Sequence, residues 1–328
     1  MSVDLVTGAS GRVGRHLVQA LLRNRDELKV LVKENMVDKE NVEVFYGDLL
    51  DKESLKKAVE GVDVIFHLAA ITDYLAPKED MYKVNVIGTQ NLLDVSKGKK
   101  FIYLSSTAVM GNKFKELPLD ENTPCKPSNF YGKTKLEAEN LVKKAGGIII
   151  RSPDVFGPDF TEGFDYVLSR LEKGNMPLIG DGKNFIQWIN INDLVQALVL
   201  AKELGKPGEV YIVAGKEIKT LKDLWKLLCK YLDVEPPEKH TSEFVAKAMA
   251  HSNILKGKLS KERPEMIPEY VDKITSNRTF DLSKAKIDLG FEAHVGYDES
   301  AREIVEDYKA RSHKEEEKVP EEDSEEKS

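Results

Sequence analysis

Cysteine is almost absent: Cys125 and Cys229 stand far apart in 328 residues, and neither belongs to a CxxC pair. That excludes a disulfide framework and a thiolate zinc site. The six histidines show no HExxH or other ligand spacing, so no metal site is expected. Apolar residues never run for the eighteen or so positions that a membrane helix needs. A basic-then-apolar leader is missing too, because the strand-like Val3-Asp-Leu-Val6 runs straight into Gly8. The expectation is a cytoplasmic protein with no membrane partner. Basic excess is also lacking. The formal net charge is -7, and an acidic chain without a basic face is not expected to bind nucleic acid. What remains is an ordinary globular composition, 41% hydrophobic and 32% charged, long enough for one large α/β domain or two unequal ones.

The acidity is concentrated at one end. Residues 312–328 carry eight acidic side chains against three lysines and almost nothing apolar, which predicts a disordered, solvated tail.

Upstream of it, strand-like and helix-like patterns alternate. Strands are expected at Val3–Thr7, Leu28–Val32, Val42–Tyr46, Val62–Ala69, Phe101–Ser105 and Gly147–Arg151. Helices are expected at Val13–Arg23, Ser54–Val59, Met81–Val95 and Tyr131–Ala145. Strands joined by helical crossovers of this length imply a parallel, doubly wound α/β sheet of Rossmann type over residues 1–152. Beyond it the alternation breaks down. Residues 153–311 read as a smaller, interleaved C-terminal substrate domain, with strands near 186–191 and 209–214 returning to the core. Helices are expected at 221–231 and 300–311, and 235–278 reads as irregular.

The first strand runs into Thr7-Gly8-Ala9-Ser10-Gly11-Arg12-Val13-Gly14. Gly8 would permit the tight turn, Gly11 the close approach of backbone to a pyrophosphate, and Gly14 the packing of helix on strand. The helix N-terminus, with Ser10, Arg12 and Val13 around it, offers N–H groups and a positive dipole end to phosphates. The second strand ends Val32-Lys33-Glu34, with no Asp where NAD would present its ribose hydroxyl. Lys33, aided by Arg12, could neutralise a 2′-phosphate, which favours NADP(H) over NAD(H); otherwise Lys33 is surface charge and Glu34 takes the ribose. Asp48 and Leu49, after the third strand, are placed to meet the adenine. Leu68, Ala69 and Ala70, after the fourth, are small enough in aggregate to let backbone approach the nicotinamide side. His67 reads as a packed strand residue.

Three residues carry the expected chemistry. Ser106 follows the fifth strand, and Tyr131 and Lys135 lie one helical turn apart. Tyr131 would exchange a proton with the substrate oxygen, Ser106 would hydrogen-bond that oxygen, and the Lys135 ammonium would favour the phenolate. A second YxxxK, Tyr74 to Lys78, contains Pro77 and reads as a loop rather than a site.

Taken together, Thr7 to Gly14, Asp48, His67 to Ala70, Asn85 to Thr89, Ser105-Ser106, Tyr131 to Lys135 and Arg151 to Pro158 resemble the extended short-chain dehydrogenase/reductases, over roughly residues 1 to 310. The resemblance implies a Rossmann core, Ser106/Tyr131/Lys135 catalysis, Pro153 beside the cofactor, a small-molecule substrate and a homodimer built on a four-helix contact. Asp154, Ile186 and Thr107-Ala108 depart from the patterns of nucleotide-sugar epimerases and 4,6-dehydratases. The stretch Arg278 to Phe291 is similar to the hydroxysteroid dehydrogenase and dihydroflavonol reductase branch. An oxidoreductase interconverting a secondary alcohol and a ketone or aldehyde is therefore expected. An epimerase that retains NAD and a non-catalytic dinucleotide sensor are the alternatives.

Overall fold

The computed structural model describes residues 2–23, 27–34, 41–160, 164–264 and 266–316. Its first half runs β1 (Val3–Thr7), α1 (Arg12–Arg23), β2 (Glu27–Val32), β3 (Val42–Tyr46), α2 (Lys52–Ala58) and β4 (Val64–His67). There follow α3 (Lys78–Tyr82), a π-helical stretch (Lys83–Gly88), α4 (Thr89–Val95), β5 (Lys100–Ser106), α5 (Phe130–Lys144) and β6 (Ile148–Ser152). The second half runs β7 (Val155–Phe156), α6 (Phe164–Glu172), β8 (Leu178–Ile179), β9 (Phe185–Ile186), β10 (Ile189–Asn190), α7 (Ile191–Leu204), β11 (Val210–Ile212) and β12 (Lys219–Thr220). It ends with α8 (Leu221–Leu232), β13 (His240–Thr241), α9 (Glu243–Ser260), α10 (Pro268–Thr275), α11 (Ser283–Leu289) and α12 (Tyr297–Glu316).

Seven strands form one parallel sheet in the order β11-β6-β5-β4-β1-β2-β3. Alternate residues of each strand feed opposite faces, and the sheet is covered on both. Val6, Ile102, Ile148 and Ile150 pack with Leu17, Val18 and Leu21 of α1 and Leu194 and Leu198 of α7. Leu5, Phe101, Tyr103 and Ile149 pack on the other side with Leu55, Leu92, Ala138 and Val142. A third apolar cluster lies in the second half, where α6, α8 and α12 bring together Leu168, Leu224, Trp225, Leu228, Tyr297 and Ile304. Several of the helices are started by side-chain caps: Asp51 accepts from the Glu53 N–H, Asn129 from Gly132, Asn190 from Asn192 and Thr220 from Asp223.

The structure departs from the sequence pattern in five places. β4 stops at His67, because Leu68 and Ala69 turn towards the first loop. Met81–Val95 is not one α-helix, since the π stretch widens its middle, where Asn85 turns its amide onto Ile71. Val210–Ile212 joins the large sheet, but residues 186–191 do not. Ile186 pairs with Lys219 and Ile189 with Val155 in separate two-stranded ladders, and this region reaches the core through α7 instead. Residues 235–278 are not irregular but hold α9 and α10, and the apolar residues of α9 do not fall on a single helical face. Finally, α12 continues through Glu316, into the stretch expected to be tail; residues 317–328 lie outside the described residues.

One ion pair joins the sheet to the helix that carries Tyr131. Arg151 of β6 and Glu139 of α5 are almost fully buried and bonded in a fork, with Nε and Nη2 donating to the carboxylate at 2.7 to 3.2 Å. Arg151→Met would strand a buried carboxylate and is expected to cost about 3–5 kcal/mol of stability, measured by urea denaturation. The double variant Arg151→Met/Glu139→Leu should recover most of that loss.

Candidate functional site

The first loop is shaped by what cannot fit in it. Gly8 has φ +74°, and a Cβ there would lie 2.7 Å from the Ala69 nitrogen. At Gly14 a Cβ would fall inside the Gly8 carbonyl oxygen, so α1 packs directly on the turn. Gly11 differs, being exposed, with a Cβ meeting only the Gly8 carbonyl oxygen at 3.1 Å. Its outer side is open where the first-turn N–H groups of α1 have no intrahelical partner. This is a cradle fitted to a dinucleotide pyrophosphate: a glycine surface beside a helix N-terminus. Ser10 is exposed on the same loop, Val13 is half-buried, and the Arg12 guanidinium lies 5.5 Å from the centre of the Phe160 ring.

His67 anchors the loop from below. Thr89 donates its hydroxyl proton to the Asn85 carbonyl at 2.7 Å, so His67 Nε2 donates to Thr89 Oγ1 at 2.9 Å. His67 Nδ1 is then left to accept from Thr7 Oγ1 at 2.7 Å, and Thr7 Oγ1 accepts from the Ala69 N–H at 3.3 Å. Burial pushes the imidazole down to about 3, so it is neutral and structural. Leu68, Ala69 and Ala70 leave this anchor as a half-buried strip.

At the other end of the cradle, Lys33 and Asp48 meet each other. Lys33 Nζ lies 3.1 Å from Asp48 Oδ2, and the Lys33 side chain is 75% exposed. The Leu50 N–H donates to Asp48 Oδ1 at 2.9 Å and, with Lys33, holds this carboxyl below the usual range. Leu49 turns its side chain into the core against Gly88, and its carbonyl accepts from Asn91.

Ser106 ends β5 and caps the short 3-10 turn Thr107–Met110, accepting from the Ala108 N–H at 3.1 Å. Tyr131, Lys135 and Glu139 follow at i, i+4 and i+8 on α5, so all three project from one face. Of the groups around the Tyr131 phenol, the Ser106 hydroxyl is the one that favours its ionised form. Lys135 is buried beneath them. Its Nζ donates to the Leu104 carbonyl at 2.6 Å and sits 4.1 Å from the centre of the Tyr103 ring. Burial lowers the Lys135 ammonium to about 7, partly opposed by Glu139. Burial raises the Tyr131 phenol above its ordinary range, with Tyr74 and Asp154 adding to the shift and Ser106 opposing it. The sequence expectation of a phenol tuned downward is thus not met in the chain by itself, because desolvation dominates and Lys135, held at the Leu104 carbonyl, is not among the groups that shift the phenol. The Tyr131 phenol is therefore protonated at neutral pH.

Several residues were given no place in the site by the sequence reading, although Asn85, Asp154 and Arg278 lie in stretches it named. Asn85 Oδ1 accepts from the Ile71 N–H at 2.7 Å, while its amide donates to the Ile71 carbonyl and to Thr134, the neighbour of Lys135. Tyr74, set aside with the second YxxxK, packs its ring edge-on to Tyr131 with centroids 5.7 Å apart. On its other side it meets Tyr270 of α10 at 5.6 Å. Asp154, one residue after Pro153, is paired with Lys273 of α10. Arg278 donates to the Gly111 carbonyl at 3.0 Å, to Ser276 Oγ at 3.0 Å and to Asn112. The segment from α10 to Arg278 therefore covers the Tyr131 end of α5. The proline at the start of α10 was the one local signal available for it.

Comparisons with known proteins bear on the family and the fold. The model of the NAD dependent epimerase/dehydratase family matches residues 5–214. The chain is 25% identical over 306 residues to the 4-hydroxy-2-methyl-3-oxo-4-farnesyl-3,4-dihydroquinoline-1-oxide ketoreductase of Stigmatella aurantiaca, covering 88% of this chain and 92% of that one. It is 28% identical over 346 residues to the 3beta-hydroxysteroid-dehydrogenase/decarboxylase isoform 2 of Arabidopsis thaliana, covering 93% of this chain but 61% of that longer protein. Among solved structures, the UDP-glucuronic acid 4-epimerase of Bacillus cereus in complex with NAD superposes with a TM-score of 0.76 at 23% identity. That match covers 94% of this chain and 99% of that one, and shows a shared fold.

The buried ammonium carries a stability signature. Lys135 titrates near 7 when folded against 10.5 ordinarily, so between those values the unfolded chain binds more protons than the folded one. Stability contributed at this position therefore rises with pH across that window, and the penalty is fully present below about 7. Lys135→Met should remove this component. Unfolding followed from neutral to alkaline pH is expected to show a smaller upward slope in the variant than in the parent protein.

Proposed function

This chain belongs to the NAD dependent epimerase/dehydratase family, and on that premise we propose that it is an oxidoreductase interconverting a secondary alcohol and a ketone or aldehyde, using NADP(H) in preference to NAD(H). The observation that carries the reading is that Ser106 at the end of β5 lies beside Tyr131 at the start of α5, with Lys135 buried one turn further along the same helix face. A nicotinamide dinucleotide, when bound, supplies or accepts the hydride. The Gly8–Gly14 loop and the α1 N-terminus would hold its pyrophosphate, with Leu68, Ala69, Ala70 and Pro153 along its inner side.

The remaining chemistry belongs to the chain's own residues. Ser106 donates to the substrate oxygen and holds it against the Tyr131 phenol. Tyr131 gives its proton to that oxygen as the carbonyl is reduced, and takes it back in the reverse direction. The donating direction needs the phenol protonated, which it is at neutral pH. Lys135, one helical turn from Tyr131 and held at the Leu104 carbonyl, would supply the cation that favours the phenolate left behind. Tyr74 and Tyr270 wall the site with aromatic surface and exclude water from the proton path.

A carbonyl substrate is supported over a nucleotide sugar by two positions. Ile186 is buried in a ladder with Lys219, and the Asp154 carboxylate is spoken for by Lys273, so neither offers a cation to a diphosphate. The names of the two relatives described above are those of a ketoreductase and a hydroxysteroid dehydrogenase. The NADP preference is supported by an exposed ammonium at Lys33 and by Val32 standing where a ribose-binding carboxylate would be. A 2′-phosphate would replace Asp48 as the partner of Lys33.

Tyr131→Phe is expected to lower turnover by about 10²–10⁴-fold while dinucleotide affinity, followed by fluorescence titration, stays within about twofold. Turnover near the parent value would refute the assignment of Tyr131. Lys33→Ala should weaken NADPH binding by about tenfold relative to NADH, as expected for losing one charge-assisted phosphate contact. An unchanged NADPH-to-NADH ratio would remove the basis for the NADP preference.

A further inference from the structure

Helix α9 has two apolar faces and buries one. Ala246 and Ala250 pack on Val271 of α10 and on Ile179. Turned away from them, Phe244, Ala248, Leu255 and Leu259 fall at i, i+4, i+11 and i+15, a ridge along the outer side of the helix. Phe244 is 82% exposed, Leu255 64% and Leu259 87%, and Val245 and Met249 extend the strip along its edge. Five of the large apolar side chains that this protein leaves exposed among the described residues lie on this one helix. Contiguous exposure of this kind marks an interaction surface.

We propose that the α9 ridge docks this protein on an anionic lipid bilayer surface. Charge selects that occupant. In a chain of net charge -7, residues 243–263 carry four lysines and one arginine against two glutamates; Lys247 is tied to Glu243 and Asp272 and Arg263 to Asp73, while Lys256 on the helix and Lys261 at its end are exposed. An amphipathic helix with an apolar strip and lysines at its margin lies in the plane of a membrane, the strip among acyl chains and the ammonium groups at the headgroups. A second copy of the chain fits less well, because a symmetric contact along this ridge would oppose two net-positive segments. No helix among the described residues is long and apolar enough to cross a membrane, so the contact is peripheral. The expectation of no membrane partner, drawn from the lack of a spanning segment, does not bear on such a contact.

The position of α9 gives the docking a use. It packs on α10, whose Tyr270 reaches the catalytic end of α5 through Tyr74, and Arg263 just beyond α9 pairs with Asp73 at 2.8 Å. The ridge is thus the outer surface of the cover over the site, and an apolar carbonyl compound dissolved in the bilayer would meet the protein there. This last step rests on the carbonyl chemistry proposed above; the docking itself does not.

The test is sedimentation of the full chain with vesicles, without substrate or dinucleotide, so its result is independent of catalysis. Phosphatidylcholine vesicles are compared with vesicles containing roughly 30% phosphatidylglycerol, at about 0.05 and 0.5 M salt. The parent protein is expected to pellet with the anionic vesicles and to be partly released by salt. Leu255→Glu/Leu259→Glu, with an unchanged melting profile, should reduce the bound fraction by at least about tenfold. Failure of the parent to bind, or equal binding by the variant, would overturn the proposal. So would a dimer in light scattering that these two substitutions dissociate, since the ridge would then belong to a second copy.

Discussion

Between the first loop and the end of the fourth strand there is no room for a side chain. Gly8 meets Ala69 backbone to backbone, and Gly14 brings α1 onto the Gly8 carbonyl. Much of the site's geometry hangs from this contact. It fixes where α1 begins, and so where its free N–H groups point. It also brings Thr7 within reach of His67, whose other nitrogen holds Thr89 and, through it, the π-helical stretch. Asn85, inside that stretch, pins both Ile71 and Thr134. A hydrogen-bonded chain thus runs from the glycine loop to the residue before Lys135.

Along α5 the environment changes in steps of one turn. Tyr131 faces the aromatic wall, Lys135 a carbonyl and a ring face, and Glu139 the buried Arg151 guanidinium. The helix presents a proton donor, a titratable cation and a fixed anion in sequence. The anion is neutralised from the sheet side, and so it can support the cation without competing for it. Burial is what makes these small separations matter, because a desolvated charge feels neighbours that water would screen.

The α/β core was legible because parallel strands, buried on both faces, read as short apolar runs and the crossovers read as helices. The glycine loop and the Ser106, Tyr131 and Lys135 positions were legible because each sits at a strand end or helix start, where the pattern changes. Other features left no such mark. The π stretch is a shift in hydrogen-bond partners and alters no composition. Lys33 and Asp48 were read separately, since nothing in the sequence says that two loops 15 residues apart will pair their charges. The α9–α10 region was missed because α9 is apolar on two sides, which erases helical periodicity. Tyr74 was set aside on a sound argument about Pro77, which does end up just outside a helix, but ring packing against Tyr131 does not require one.

The cover over Tyr131 joins parts of the chain that are distant in sequence: Tyr74 with Tyr270, Asp73 with Arg263, Asp154 with Lys273, and Gly111 with Arg278. During synthesis the Rossmann strands emerge first and can pair, yet the aromatic wall is incomplete until the last fifth of the chain has left the ribosome. A nascent or C-terminally clipped molecule would have its glycine cradle in place while Tyr131 faced water. In such a molecule the loop shaped for a dinucleotide would be finished before the enclosure of the phenol.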